Sequence, residues 1–167
     1  MNPDSGKDAW ITATVESHEA RLIGYAARIL GDWHRARDAV QDVFVKLCDE
    51  SPGALGGAIT VWLFTAVRNR AFDIMRKEHR MQPADMATLD IAGSSPTPVA
   101  VLEAREAEGH LAAAVARLPL EQQEIVRLKF QEGFSYREIA RITGHPEGTV
   151  GYLIHAAMQT LRRELAA

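Results

Sequence analysis

At 167 residues, with 47% hydrophobic and 25% charged side chains, the chain has an ordinary globular balance and room for one medium domain or two small ones. A lone cysteine, Cys48, excludes an internal disulfide, and the most apolar stretch, 58–67, is too short to span a bilayer. The opening MNPDSGKDAW has no basic start followed by an apolar run, so no signal peptide or membrane insertion is expected and a cytoplasmic location follows.

The net charge of −3 conceals an uneven distribution. Residues 1–50 hold six basic and nine acidic side chains, and 51–80 hold five and two. Residues 81–110 hold one and five, and 111–167 hold seven and six. Positive charge is concentrated between Arg68 and Arg80.

In chain order, Ile11, Val15, Leu22, Ala26, Ile29 and Leu30 recur at helical intervals over residues 9–30, and Gly31 ends the pattern. Asp32 is a candidate N-cap for a second helix with Ala36, Val40, Val43, Phe44 and Leu47 as its apolar stripe. The opposite face carries Arg35, Asp38, Gln41, Asp42 and Lys46, which taken alone predicts only a solvated surface. Ser51-Pro52-Gly53 and Gly56-Gly57 predict a loop. A third helix resumes at Ala58, with Ile59, Leu63, Ala66, Val67, Ile74 and Met75 available to a core. Asn69, Asp73, Arg76 and Arg80 share one of its faces, with Arg70 and Lys77 beside them and Asp73 placed to pair with Arg76 or Lys77. Such a block is either an exposed basic helix end favoured by the helix dipole or a phosphate-tracking surface.

Residues 81–98, rich in Pro, Ser, Gly and Asp, have linker composition. Helical pattern returns near Val99 through Leu102, Leu111, Val115 and Leu118. Pro119 opens a further helix carrying Ile125, Val126, Leu128 and Phe130, and Gly133 ends it. Ser135 and Glu138 form a capping-box pattern ahead of Ile139, Ala140 and Ile142. After Gly144, Pro146 opens a last helix with Val150, Ile154, Ala157 and Leu161 facing inward. A capped short helix, a glycine turn and a longer helix predict a helix-turn-helix.

The segment 118–165, with Leu118-Pro119, the phrase GFSYREIA and Pro146-Glu147-Gly148-Thr149-Val150, resembles region 4 of bacterial RNA polymerase sigma factors. Asp38 to Phe44 (DAVQDVF), Trp62-Leu63-Phe64, Arg68-Asn69-Arg70 and Asp73 to Arg76 resemble sigma region 2. Both likenesses, in that order with nothing left for a third domain, resemble the extracytoplasmic-function subfamily.

The resemblance implies an all-α chain of two small helical domains, a region 2-like bundle over 9–80 and a region 4-like helix-turn-helix domain over 99–167, joined by a flexible linker at 81–98. It implies binding to RNA polymerase core through Asp38, Gln41, Asp42, Phe44 and Lys46. It implies contact with the −10 element of promoter DNA through Arg68, Asn69, Arg70, Asp73, Arg76, Lys77 and Arg80, with the 51–57 loop near a flipped base. Trp62 is placed either to stack on a base or to fill the core. The −35 element would be met by Arg137, Arg141, Glu147, Thr149, Tyr152, His155, Arg162 and Arg163. An anti-sigma factor is a further implied partner.

One departure stands out. Gly151, Leu153, Ala156 and Met158 occupy positions where the subfamily carries basic or small polar residues, and Thr149 to Leu161 contains no lysine or arginine. Two expectations stay open. Either the C-terminal domain contributes little DNA affinity and serves largely to dock polymerase or a partner, with Leu153 and Met158 joining Tyr152 in an apolar surface and Gly151 marking a close approach, or these residues pack against the preceding helices and Arg137, Arg141, Arg162 and Arg163 hold the DNA. A stand-alone helix-turn-helix regulator and a sigma-like protein-binding adaptor remain open on the residues alone. Enzymatic function is not expected. The histidines (His18, His34, His79, His110, His145, His155) are scattered, no metal-spaced pair or phosphate loop occurs, and neither cofactor nor metal is implied. Cys48, at the edge of the apolar stripe, is expected to be a packing residue.

Overall fold

The computed structural model describes residues 3–81 and 106–167, helices and short connections with no strand among them. They form two compact units.

The N-terminal unit contains α1 (Pro3–Leu30), α2 (Trp33–Leu47), the single turn α3 (Pro52–Leu55), a 3₁₀ turn (Gly56–Ala58) and α4 (Ile59–Met81). α1 begins before residue 9, because apolar periodicity marks only the turns that pack and the polar turns before them continue the helix. It ends as the sequence predicts, at Gly31 with φ +70°, whose N–H donates to the Ala27 carbonyl at 2.8 Å. Asp32 then caps α2 by accepting the Arg35 backbone N–H at 2.9 Å. That bond holds the Asp32 carboxyl below its ordinary range.

The long helices α1, α2 and α4 pack against one another in pairs. Their shared core includes Leu22, Ala26, Val40, Val43, Leu47, Leu63, Phe64 and Val67. Phe64 is fully buried, its ring centroid 5.1 Å from that of Tyr25. Ala39, Val61 and Ala71 are buried too, whereas Phe44, Ile59, Ala66, Ile74 and Met75 are half-buried. The loop expected over 51–57 is instead two short helical turns. Pro52 opens the first, and Gly56 at φ +52° changes direction between them.

Arg35, expected on the solvated face of α2, is a staple instead. Its Nη1 donates to the Leu30 carbonyl at 3.2 Å, filling an orphan acceptor at the end of α1, while Nη2 pairs with Glu78 of α4. His18 Nε2 lies 3.0 Å from Thr60 Oγ1, joining α1 to the start of α4.

The C-terminal unit contains α5 (Glu106–Ala116), α6 (Leu120–Phe130), α7 (Tyr136–Thr143) and α8 (Glu147–Ala166). α8 packs against each of the other three. Ala114, Leu118, Val126, Ala157 and Leu161 form one buried cluster, with Val115 and Met158 against it. Two apolar residues of the helical pattern stay out of the core: Leu111 is 46% exposed and Phe130 59%. Ala114 is buried one turn after Leu111. Phe134 is buried in place of Phe130, because Gly133 at φ +77° turns the chain back and lets the Phe134 N–H donate to the Leu128 carbonyl at 3.1 Å. Pro119 is the N-cap of α6 rather than its first residue. The buried Gln123 amide donates to the Ala116 and Leu118 carbonyls at 3.0 and 2.7 Å, satisfying acceptors left over where α5 ends.

Of the expected linker, Met81 closes α4, and the rest of 81–98, like the helical return at Val99 and Leu102, lies outside the described residues. Among the described residues no helix is long and apolar enough to cross a membrane.

Candidate nucleic-acid and protein interfaces

α2 buries one face in the three-helix core and turns Asp38, Gln41, Asp42 and Lys46 to solvent, with Phe44 half-buried beside them. The same outer surface carries two apolar side chains that charge patterning does not reveal: Trp33 is 54% exposed and Val45 68%. Trp33, Arg37, Gln41, Val45 and Cys48 follow at intervals of four, four, four and three, so the acidic face borders a continuous mixed stripe. Cys48 is a correction, since it is exposed rather than packed, with its thiol donating to the Phe44 carbonyl at 3.3 Å.

α4 gathers Arg70, Asp73, Arg76, Lys77 and Arg80 around one surface depression. Its only carboxylate there, Asp73, pairs with Arg76 at 2.7 Å, as the spacing predicts, so the excess positive charge persists. Asn69 is exposed but does not line the depression, and the Arg68 guanidinium lies 4.6 Å from the Phe72 ring centroid. Arg70 is not simply solvated: its Nε donates to Asp42 of α2 at 2.8 Å. Trp62 is half-buried.

In the C-terminal unit the capping box is complete. The Glu138 carboxylate accepts the Ser135 N–H at 2.8 Å, and the Ser135 hydroxyl accepts the Glu138 N–H at 3.2 Å. Gly144 at φ +77° ends α7, and Pro146 caps α8. The turn is braced by His145, whose Nε2 is 3.3 Å from Glu121 of α6. Arg137, Arg141, Glu147, Tyr152, His155, Arg162 and Arg163 are exposed, and Thr149 is half-buried.

The apolar surface expected on α8 is overturned in part. Leu153 is buried, only 8% exposed, and Met158 packs on the core cluster, leaving Tyr152 alone exposed, at 70%. Leu153 lies three residues after the inward Val150, on the same stripe. Nor does Gly151 mark a backbone squeeze. A Cβ there would meet only the Tyr136 ring, at 3.6 Å, an ordinary contact. Gly151→Ala is therefore expected to stabilise the unit by about 0.5–1 kcal/mol through helix propensity. A lower urea midpoint in that variant would mean that the Tyr136 contact is tighter than its distance implies.

Comparison with known proteins places both units. Residues 14–81 match Sigma-70 region 2, and residues 109–161 match Sigma-70 region 4. The sigma factor EcfG of Rhodopseudomonas palustris is 32% identical over 142 residues, covering 84% of this chain and 76% of that protein. The chain belongs to the extracytoplasmic-function sigma factors. RpoE of Cereibacter sphaeroides is 29% identical over 134 residues, covering 79% of this sigma factor and 73% of the relative. SigL of Mycobacterium tuberculosis is 29% identical over 160 residues, covering 94% and 89%. The solved sigma factor RpoE of Bartonella quintana, in complex with the anti-sigma factor NepR, matches with TM-score 0.61 at 23% identity over 93% of this chain and 96% of that one, a likeness of fold. A sigma factor directs transcription initiation and is not an enzyme, and the region 2 match decides against a stand-alone regulator.

Proposed function

We propose that this sigma factor divides its labour among three helical faces, with domains at 9–80 and 99–167 joined through 81–98. The outer face of α2 (Asp38, Gln41, Asp42, Phe44, Lys46) docks on RNA polymerase core, where an acidic helix suits a basic partner. Arg68, Asn69, Arg70, Asp73, Arg76, Lys77 and Arg80 of α4 take the −10 element. Arg137 and Arg141 of α7, with Glu147, Thr149, Tyr152, His155, Arg162 and Arg163 of α8, take the −35 element. The middle of α8 is free of cations, so phosphate contacts fall to the four arginines, while Tyr152 and His155 are offered to base edges. The observation that carries the reading is the convergence of Arg70, Arg76, Lys77 and Arg80 on one depression of a helix whose other face is core.

The Bartonella relative was solved with an anti-sigma factor, and we extend that class of partner to this chain. Its working compartment on this reading is the cytoplasm.

Run-off transcription with core polymerase and a promoter library tests the whole: promoter-dependent transcripts are expected, and their absence from an intact holoenzyme would overturn it. Within α4, Arg76→Ala and Lys77→Ala are expected to weaken all promoters alike and to flatten the salt dependence by about 0.7–0.9 per lost contact. Asn69→Ala is expected to relax base preference with the salt slope unchanged. Arginine variants that change sequence choice at constant slope would invert these roles.

A further inference from the structure

The Asp42–Arg70 bond joins two side chains that the proposed function places in different interfaces. Asp42, on α2, belongs to the polymerase-facing surface. Arg70, on α4, lines the depression proposed to hold the DNA backbone. In the free protein they engage each other: Arg70 Nε lies 2.8 Å from the Asp42 carboxylate, with the two side chains 28% and 48% exposed. Neither is buried, so the contact opens without desolvating an ion or disturbing the core. An arginine bound this way presents less charge to phosphate, and a carboxylate bound this way presents less charge to a basic partner.

We propose that Asp42 and Arg70 form a charge latch coupling polymerase docking to DNA capture. Polymerase, by taking the Asp42 carboxylate, releases Arg70 toward the −10 strand, and each partner lowers the cost of admitting the other. The coupling is reciprocal by thermodynamic necessity. An exposed ion pair of this kind limits it to about fivefold. The latch rests on the assignment of α4 to DNA and α2 to polymerase.

The test measures the full-length free protein against a short fluorescein-labelled single strand of mixed sequence at low ionic strength, by anisotropy. Asp42→Asn is expected to tighten binding by about twofold to fivefold and to steepen the salt dependence by about 0.7, one extra phosphate contact. In the Arg70→Gln background the same change is expected to give only the small, general gain of removing one negative charge. Asp38→Asn removes an equal charge from the same helix and is expected to give a smaller gain.

A gain from Asp42→Asn that survives at full size in the Arg70→Gln background would be general relief of repulsion and would overturn the latch. So would no gain at all. The second arm measures core polymerase without DNA: Arg70→Gln is expected to bind core more tightly, because Asp42 is freed. Weaker core binding would make Arg70 a positioning residue for Asp42 and overturn the latch. Lys77→Gln separates the two levels. If it weakens binding to the strand while Asp42→Asn is silent, only the latch falls; if it has no effect, the DNA face of α4 is misassigned and the latch falls with it.

Discussion

Asp42→Arg is expected to abolish co-purification with RNA polymerase core, a loss of at least about 30-fold in affinity, while the N-terminal unit stays folded. A close charge pair across an interface is worth about 2 kcal/mol or more when one partner is lost, and reversal adds repulsion. The folding cost is of another order. Asp42 is exposed, and its bond to Arg70 is a surface ion pair worth at most about 1 kcal/mol. The new arginine would stand beside Arg70, so some destabilisation is expected. The swapped variant Asp42→Arg with Arg70→Asp separates the effects, because the reversed pair restores the unfolding midpoint without restoring polymerase binding. Normal core binding by a folded Asp42→Arg protein would move the polymerase surface off this face of α2.

Phe64→Ala is expected to carry the largest stability effect, about 3–5 kcal/mol. The ring is fully buried, lies 5.1 Å from Tyr25 centroid to centroid, and has the Arg21 guanidinium 5.6 Å from its centroid. Truncation removes the transfer free energy of the ring and leaves a cavity that α1 and α4 cannot close without moving Arg21. Since domain stability is about 5–15 kcal/mol in total, a loss of that size leaves a substantial unfolded fraction. Phe64→Leu, which keeps most of the volume, is expected to cost far less. Urea midpoints followed by near-ultraviolet circular dichroism distinguish the two. A loss below about 1 kcal/mol for alanine would mean that the site relaxes around the missing ring.

The parts legible in the sequence are those encoded locally. Asp32, the Ser135–Glu138 box and the glycines at 31, 133 and 144 each act within a few residues, through caps and positive φ values that side-chain type dictates. The inward stripe of α8 was equally legible as a period: Val150, Ile154, Ala157 and Leu161 are all buried. Leu153 lies on that same stripe and is buried with it, so the helical period, and not the charge expected at that position, sets its orientation.

What stayed hidden depends on which helices meet. Arg35 and Glu78, or Asp42 and Arg70, are far apart in sequence, and only antiparallel packing of α2 on α4 brings each pair together. A charged residue on an amphipathic helix reads as solvated whether or not a neighbour reaches it. Phe130, the last residue of α6, is exposed because the chain there runs past the core before turning, while in the middle of α5 it is Ala114 rather than Leu111 that packs.

The three tryptophans, Trp10, Trp33 and Trp62, all lie in the N-terminal unit, on α1, α2 and α4. The C-terminal unit has tyrosines at 136 and 152 and no tryptophan. Intrinsic indole emission is therefore a built-in reporter for one half of the protein. Trp33, at the head of α2 and half open to water, is placed to shift in colour when a partner covers that surface, while an event confined to the helix-turn-helix leaves the emission unchanged. Coverage of the α2 surface can thus be followed in the unlabelled full-length chain.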